Sequence, residues 1–357
     1  MSSFEGFEKD DAASGLGVEA IRYCDAQSLV DRLIKTTRRN DIDVPLFRGH
    51  RDANWQLIPS ALRSDTQKLL KKLACEPETP FSDPRRTLIN KNEQIELEFN
   101  VLRRFYAISD RSGLWLPQSE IMDYGREIGS FSSGMMPKFF ETRFELEIHQ
   151  QAIRHVSRGT LRAGEKEQNT QARILQQLLV TNTERWIPRD LWEVASLAQH
   201  HGIPTRLLDW CFDPFIACFF ACDDGQNGGT PSSDIAVWEF NNQPFALDHF
   251  APLQIIRPRY WGNENIRSQT GALTLVQADI YPLGEDVDHQ PLNVQIYNAF
   301  DERTKSQGRE NPGISYFNKH ILPRSEVDEL RAILAGIGYG AARVFPGYNG
   351  VRMEMER

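Results

Sequence analysis

One segment, residues 199–210, places many reactive side-chain types within twelve positions. It reads Gln-His-His-Gly-Ile-Pro-Thr-Arg-Leu-Leu-Asp-Trp, and so offers two imidazoles, a hydroxyl, a guanidinium, a carboxylate and an indole. Apolar stretches on both sides would draw the segment toward the interior, where polar groups must be paired. The pattern therefore predicts either a substrate site or a set of buried structural pairs.

The polar side chains of this segment are candidates for two kinds of role. The candidates for catalysis are Thr205 and Asp209, and those for ligand binding are His200, His201, Arg206 and Trp210. A structural ion pair of Arg206 or Arg48 with Asp209 explains the same residues equally well. Because adjacent residues point in different directions in a helix or a strand, the histidine pair does not favour a metal site.

A second candidate region is Phe-Arg-Gly-His at residues 47–50. A predicted strand over residues 43–47 would place Arg48 at a strand end, where binding residues are common. Its planar fork of donors suits a carboxylate or a diphosphate, and Gly49 would let the backbone approach a ligand closely. A structural arginine paired with a buried aspartate fits the spacing equally well.

A third polar cluster, Ile-Arg-Ser-Gln-Thr-Gly at residues 266–271, comes just before a predicted strand. On its own it predicts a turn. Gln269 is its candidate catalytic residue.

In this order the three clusters resemble the FRG domain family. The resemblance lies in Phe-Arg-Gly with Trp55 after it, in the block at residues 199–210, and in the Asp-Pro that opens an apolar helix at residue 213. It extends over most of residues 18–350. The third cluster matches less closely, and His201 and Cys211 stand where the family often has Tyr and Thr. Family members look like bacterial or phage-associated proteins, which implies a role in defence or toxin systems.

The layout is also similar to that of ADP-ribosyltransferases, which transfer ADP-ribose from NAD to a macromolecule. This similarity implies that Arg48 holds the NAD phosphates and that Trp55 or Trp210 stacks on nicotinamide. Gln269 would take the place of the acidic ribose-binding group, but it carries no negative charge. Asp209 or Glu264 would then stabilise the oxocarbenium-like ribose, a task that orientation and electrostatics can perform without a metal.

Two alternatives remain open from the sequence. A metal-assisted nuclease or phosphodiesterase would use His200, His201 and Asp209, although no further carboxylate in the block completes a cation site. A non-catalytic ligand- or partner-binding module would fit the structural ion pair. Neither the acceptor, whether protein or nucleic acid, nor the oligomeric state is indicated.

The pattern of predicted helices and strands that must position these residues indicates an α+β fold. We expect a small mixed or antiparallel split sheet surrounded by helices, since strands are scattered among helices without regular alternation. Residues 1–17 are predicted as a flexible tail, 18–350 as one FRG-type domain, and 114–182 as a helical insertion within it, with helices over residues 139–156 and 171–179. Other helices are predicted after Asp25 and Asp213-Pro214, over residues 93–106 and 190–201, and after a Ser325/Asp328 capping box. Further strands are predicted over residues 235–240, 253–256, 272–276 and 341–345.

Composition limits the possible classes of protein. With 357 residues, 40% of them hydrophobic, the chain can bury a substantial core. Its formal net charge of −8 disfavours a surface wholly adapted to nucleic acid. The chain has neither an apolar run long enough for a membrane span nor a start typical of a secretory signal, so we expect a cytoplasmic protein. Its five cysteines contain no CxxC pair, so neither a disulfide framework nor a zinc ribbon is indicated. Cys211, Cys218 and Cys222 lie in an apolar stretch, which favours core roles.

Overall fold

The computed structural model describes residues 6–37, 45–74, 90–127, 185–223, 233–242, 253–258, 268–279, 285–310 and 315–356. The chain divides into two compact units. Unit 1 comprises Met1–Pro59, Leu207–Val276 and Gln290–Arg357, and unit 2 comprises Ser60–Arg206 and Gln277–His289. The block at residues 199–210 is divided between the units: residues 199–206 belong to unit 2 and residues 207–210 to unit 1.

An eight-stranded sheet dominates the described part of unit 1. Its strands are β1 (Phe7–Lys9), β2 (Val18–Tyr23), β3 (Leu46–His50), β5 (Leu207–Cys211), β6 (Ile235–Phe240), β7 (Leu253–Ile256), β8 (Gly271–Val276) and β10 (Phe317–Leu322). They lie in the order β1-β2-β10-β6-β3-β5-β8-β7. Only β2 and β10 pair in parallel among these strands; every other neighbouring pair is antiparallel. The α+β class is confirmed, whereas the expectation of a small sheet was wrong.

Two strands of unit 2, β4 (Arg185–Trp186) and β9 (Ala278–Asp279), form a separate antiparallel pair. The α-helices, in chain order, are α1 (Ala26–Thr37), α2 (Gln67–Ala74), α3 (Lys91–Arg111), α4 (Glu120–Glu127), α5 (Trp192–His200), α6 (Pro214–Cys222), α7 (Leu292–Ser306), α8 (Val327–Gly336), α9 (Ala341–Val344) and α10 (Tyr348–Met355). Short 3-10 helices span Ser60–Leu62, Arg189–Leu191 and Arg324–Glu326.

Because side chains alternate along a strand, the two faces of the sheet bury different partners. One face, which carries Phe47 and Val237, packs against the apolar sides of α1, α6 and α8. The other face, which carries Trp210 and Trp238, packs against Leu292 of α7 and its neighbours. Arg48 projects from this second face, since it alternates with Phe47 and pairs with Trp238 across β3 and β6.

Capping explains where several helices begin. Asp25 accepts from the backbone N–H and the hydroxyl of Ser28 at the start of α1. Asp213 accepts from the backbone N–H of Phe215, and Pro214 occupies the first turn of α6. In α3 the reciprocal bonds of Asn90 and Glu93 form a capping box.

Several predicted elements were wrong. Residues 7–9 of the predicted flexible tail form β1, paired with β2. Arg48 is the third of five residues in β3, because the strand continues to pair with β6 through His50. Residues 341–344 form a helix instead of a strand, and no side-chain cap precedes α8. The predicted insertion lies largely outside the described residues, as do its helices at residues 139–156 and 171–179.

Candidate functional site

Arg48 is held in a defined orientation on the central strand β3. Its Nε donates to Nε2 of His50 at 3.1 Å, and its Nη1 donates to the backbone carbonyl of Asp209 at 2.7 Å. The carboxylate of Asp209 lies 3.7 Å from the same Nη1. The side chain of Arg48 is 18% exposed and that of Asp209 is 66% exposed. The structure therefore brings two of the predicted catalytic residues together at a partly open position.

His50, two residues after Arg48 on β3, is buried and accepts a hydrogen bond from the Arg48 side chain. Its Nε2 accepts from Nε of Arg48. Nε1 of Trp238 donates to its Nδ1 at 3.2 Å, and the same Nδ1 lies 3.3 Å from the backbone carbonyl of Trp55. His50 thus ties the orientation of Arg48 to the segment that carries Trp55.

Trp55 presents an indole to solvent beside this site. It is 44% exposed, its ring lies 6.0 Å from that of His50, and the guanidinium carbon of Arg51 lies 5.4 Å from its centroid. An exposed indole with a cation near it is a suitable platform for an aromatic ligand ring.

Gly49 serves helix packing, and the close approach of a ligand to its backbone stays a prediction. A Cβ built at Gly49 would lie 2.0 Å from the carbonyl oxygen of Ala217 and 2.7 Å from the backbone nitrogen of Ala221. Both of these atoms belong to α6. The missing side chain is therefore what lets α6 lie directly against β3.

Trp210 lies in the core, which corrects the prediction that it binds a ligand. It is 3% exposed, and its Nε1 donates to the hydroxyl of Thr274 at 2.9 Å. Its ring packs beside Phe240 and Phe317. An indole buried in this way has no face to offer to nicotinamide.

Gln269 lies in a turn that fastens the C-terminal part of unit 1. Its side-chain amide donates to the backbone carbonyl of Val344 at 3.3 Å, and Ser268 donates to the same carbonyl at 3.0 Å. Thr270 follows with a positive φ of 47°. The turn predicted from the third cluster is confirmed, and Gln269 has a local structural role. Glu264 and Arg267 lie outside the described residues.

In unit 2, Thr205 joins the start of that unit to α5. It is buried, its backbone N–H donates to the hydroxyl of Ser60 at 3.1 Å, and its carbonyl accepts from the N–H of Ala61 at 3.0 Å. Its hydroxyl bonds to the side chain of Gln199. These contacts point to a structural role and do not support its assignment as a catalytic residue.

Arg206 forms a buried ion pair with Glu98, not with Asp209. Its Nε lies 2.8 and 3.0 Å from the two carboxylate oxygens of Glu98. Glu98 also accepts from Trp186 at 2.6 Å and from Gln94 at 2.7 Å. Arg206 is 6% exposed and Glu98 is 3% exposed. The predicted pair of Arg206 with Asp209 was therefore wrong, because Arg206 has a partner on α3 that sequence spacing did not reveal. The alternative pair of Arg48 with Asp209 is present, at 3.7 Å.

The two histidines lie at the exposed end of α5. The rings of His200 and His201 are 5.1 Å apart, edge to face. Within the described ranges, no group of three or more His, Cys, Asp or Glu side chains could hold a metal ion. A ligand-binding role for either histidine stays a prediction.

The cysteines that the structure describes are mostly core residues, as the sequence indicated. Cys211, Cys218 and Cys222 are buried, whereas Cys24 is exposed. Burial raises the pKa of the Cys211 thiol well above its ordinary value. A thiol with such a pKa is a poor nucleophile at neutral pH.

Over the parts of the chain that the structure describes, no helix is long and apolar enough to cross a membrane. Comparisons with curated proteins and with solved structures found no match. The family model of the FRG domain matches residues 142–229. This match includes the block at residues 199–210 and helix α6, which the sequence motifs had singled out. Over residues 142–229 the chain is therefore similar to the FRG domain family.

Proposed function

We propose that the protein is an ADP-ribosyltransferase-like enzyme that binds NAD and transfers ADP-ribose to a macromolecular acceptor. One observation carries the proposal: the oriented guanidinium of Arg48 lies beside the exposed carboxylate of Asp209 on the central strands of a large sheet. The family resemblance adds a defence or toxin setting in which such an activity would act.

Arg48 suits the diphosphate of NAD for a geometric reason. Two of its hydrogen bonds go to uncharged acceptors on neighbouring parts of the sheet, the imidazole of His50 and the backbone of Asp209. They fix the plane of the guanidinium before a ligand arrives, which reduces the entropy lost on binding. A planar fork held in this way matches phosphate oxygens.

Asp209 would supply the negative charge that Gln269 lacks. Cleavage of the bond between nicotinamide and ribose leaves positive charge on the ribose, and a carboxylate next to it stabilises that charge. The carboxylate of Asp209 is 66% exposed and lies 3.7 Å from the Arg48 group assigned to the phosphates. One bound NAD could therefore contact both side chains.

Trp55 replaces Trp210 as the stacking residue in this proposal. It is exposed, and its backbone carbonyl contacts the same His50 that orients Arg48. Thr205, Arg206 and Gln269 are assigned structural positions, in agreement with their contacts. The proposed chemistry thus depends on Arg48, Asp209 and Trp55, all of them in unit 1.

Replacing Asp209 by asparagine separates catalysis from binding. The backbone carbonyl that accepts from Arg48 is unchanged in Asp209→Asn, so NAD affinity should stay close to that of the wild type. Loss of the charge should slow ADP-ribose transfer and NAD hydrolysis by about 100-fold or more. Labelled NAD, incubated with mixed cellular proteins and nucleic acids, measures both reactions.

The matched control is Asp328→Asn, because Asp328 is an exposed aspartate paired with Arg331 on α8. It should leave turnover and binding unchanged. Full turnover in Asp209→Asn would show that Asp209 does not stabilise the ribosyl cation. If the wild type binds NAD and neither cleaves nor transfers it, the transferase proposal fails and a ligand-binding module takes its place.

A further inference from the structure

Lys319 occupies a position on the same face of the sheet as Arg48. It pairs across β10 and β6 with Trp238, and Trp238 pairs across β6 and β3 with Arg48. Directly paired side chains of neighbouring strands project to the same face. The two residues therefore occupy backbone positions on either side of Trp238, in a row that runs across three strands.

The ammonium group of Lys319 is positioned by the ring of Trp238 and not by a direct bond to a carboxylate of the described residues. Its Nζ lies 5.3 Å from the centroid of the Trp238 ring. Among the described residues, no hydrogen bond or ion pair within 4 Å holds this ammonium group. Asp10 and Asp52 lie close enough to favour its charge, and Arg22 opposes it.

The two nearby acids have other partners. Asp10 bonds to Arg22 and to the backbone N–H of Ala13. Asp52 accepts from the backbone N–H of Asn54 at 2.8 Å. They act on Lys319 only at longer range, so the ammonium group keeps capacity to donate to a ligand.

Burial makes this lysine unusual, because it lowers the pKa of the Lys319 ammonium group despite the two acids. A lysine needed only for its aliphatic stem could keep its charge in water. A partly desolvated cation without a carboxylate partner is more typical of a ligand site than of a solvated surface.

We propose that Lys319 is a second phosphate-binding group of the NAD site and that it binds the diphosphate together with Arg48. Two strand spacings of about 4.8 Å place the two backbone positions roughly 10 Å apart. The guanidinium of Arg48 is held toward Asp209 on β5 and the ammonium group of Lys319 lies near the Trp238 ring, so the diphosphate would span the surface between these two groups. The inference rests on the proposed function, since it names a further contact of the same ligand.

The test is calorimetric titration of NAD, and separately of inorganic pyrophosphate, into wild type, Lys319→Met and Lys319→Arg. Methionine keeps the stem over Trp238 and removes the charge, so affinity for both probes should fall about tenfold. Arginine should restore most of it. The control is Lys305→Met, which removes an exposed lysine paired with Asp301 and should change neither affinity. Thermal melting checks that each variant is folded.

A pH series adds a readout that a purely structural lysine would not change. The ammonium group carries its charge only below its pKa, and burial lowers that pKa. Wild-type affinity for NAD should therefore decline as pH rises, and at a lower pH than an ordinary lysine would produce. Lys319→Arg should keep its affinity into this range, because a guanidinium stays protonated.

The outcomes separate this inference from the proposed function. If the wild type binds NAD and Lys319→Met binds it equally well, the Lys319 inference is overturned and the NAD proposal stands. If pyrophosphate binding depends on Lys319 but NAD does not bind, the transferase proposal fails and the phosphate site remains. If the wild type binds neither probe, both are overturned.

Discussion

Gly49→Ala is expected to destabilise the protein strongly. The new Cβ would lie 2.0 Å from the carbonyl oxygen of Ala217 and 2.7 Å from the nitrogen of Ala221, both backbone atoms of α6. A helix backbone cannot give way as the end of a flexible side chain can. Either α6 moves away from β3 or the strand distorts, and α6 is buried along much of its length. The expected loss is about 3 kcal/mol or more, at the upper end for overpacked cores.

Urea unfolding followed by circular dichroism measures this loss. Gly336→Ala is the matched control, because a Cβ at Gly336 meets nothing within 4 Å and the residue lies in helix α8. There, alanine should be neutral or stabilising by roughly 0.5–1 kcal/mol. Equal stability of Gly49→Ala and wild type would mean that α6 does not approach β3 as closely as described.

Glu98→Gln is the second substitution with a large expected effect. Glu98 accepts from Arg206, Trp186 and Gln94 while almost fully buried. An amide in its place leaves the charge of Arg206 buried without a carboxylate. Breaking a buried pair from one side commonly costs about 3–5 kcal/mol, because the remaining charge stays desolvated.

Thermal and urea unfolding of Glu98→Gln can be compared with those of Glu356→Gln. The latter removes an exposed pair with Arg352, whose side chains are 58% and 62% exposed, and should cost less than about 1 kcal/mol. Replacing both partners in Glu98→Leu/Arg206→Met should recover part of the lost stability. If Glu98→Gln costs no more than Glu356→Gln, the buried network is not an important source of stability.

Local signals were strong enough to predict much of the fold. The strands at residues 235–240 and 253–256 were predicted with the bounds that the structure shows, and Asp25 and Asp213 mark the starts of α1 and α6. These features depend on short-range chemistry, namely alternation, caps and a first-turn proline. Such signals depend only on neighbouring residues and can be recognised without knowing the tertiary contacts.

The elements that sequence reasoning missed depend on distant partners. Strand β10 contains His320, which is fully buried. It can be buried because Tyr23 and Glu239, from the neighbouring strands, form hydrogen bonds with its ring. This buried polar residue interrupts the apolar pattern by which β10 would have been recognised. Helix α9 was predicted as a strand, although its buried residues Ala341 and Val344 have helical spacing.

The candidate site was predicted only in part, because some of its residues are also positioned by partners distant in the sequence. Arg48 and Asp209 were named from their motifs and lie together. Trp210 was wrongly given a ligand role. Its burial against Phe240 and Phe317 could not be read from neighbouring residues, because both rings are far away in the sequence. Lys319 was missed because its strand was missed, and only the sheet register places it opposite Trp238.

The most direct test of the proposed NAD site is calorimetric titration of NAD into wild type and Arg48→Ala, with Arg352→Ala as the exposed-arginine control. The wild type and the control should show saturable binding with the same affinity. Arg48→Ala, if folded by thermal melting, should bind at least about tenfold more weakly, because it loses a charge-assisted contact to the diphosphate. Equal affinity of Arg48→Ala and wild type, or no binding by the wild type, would contradict the proposed function.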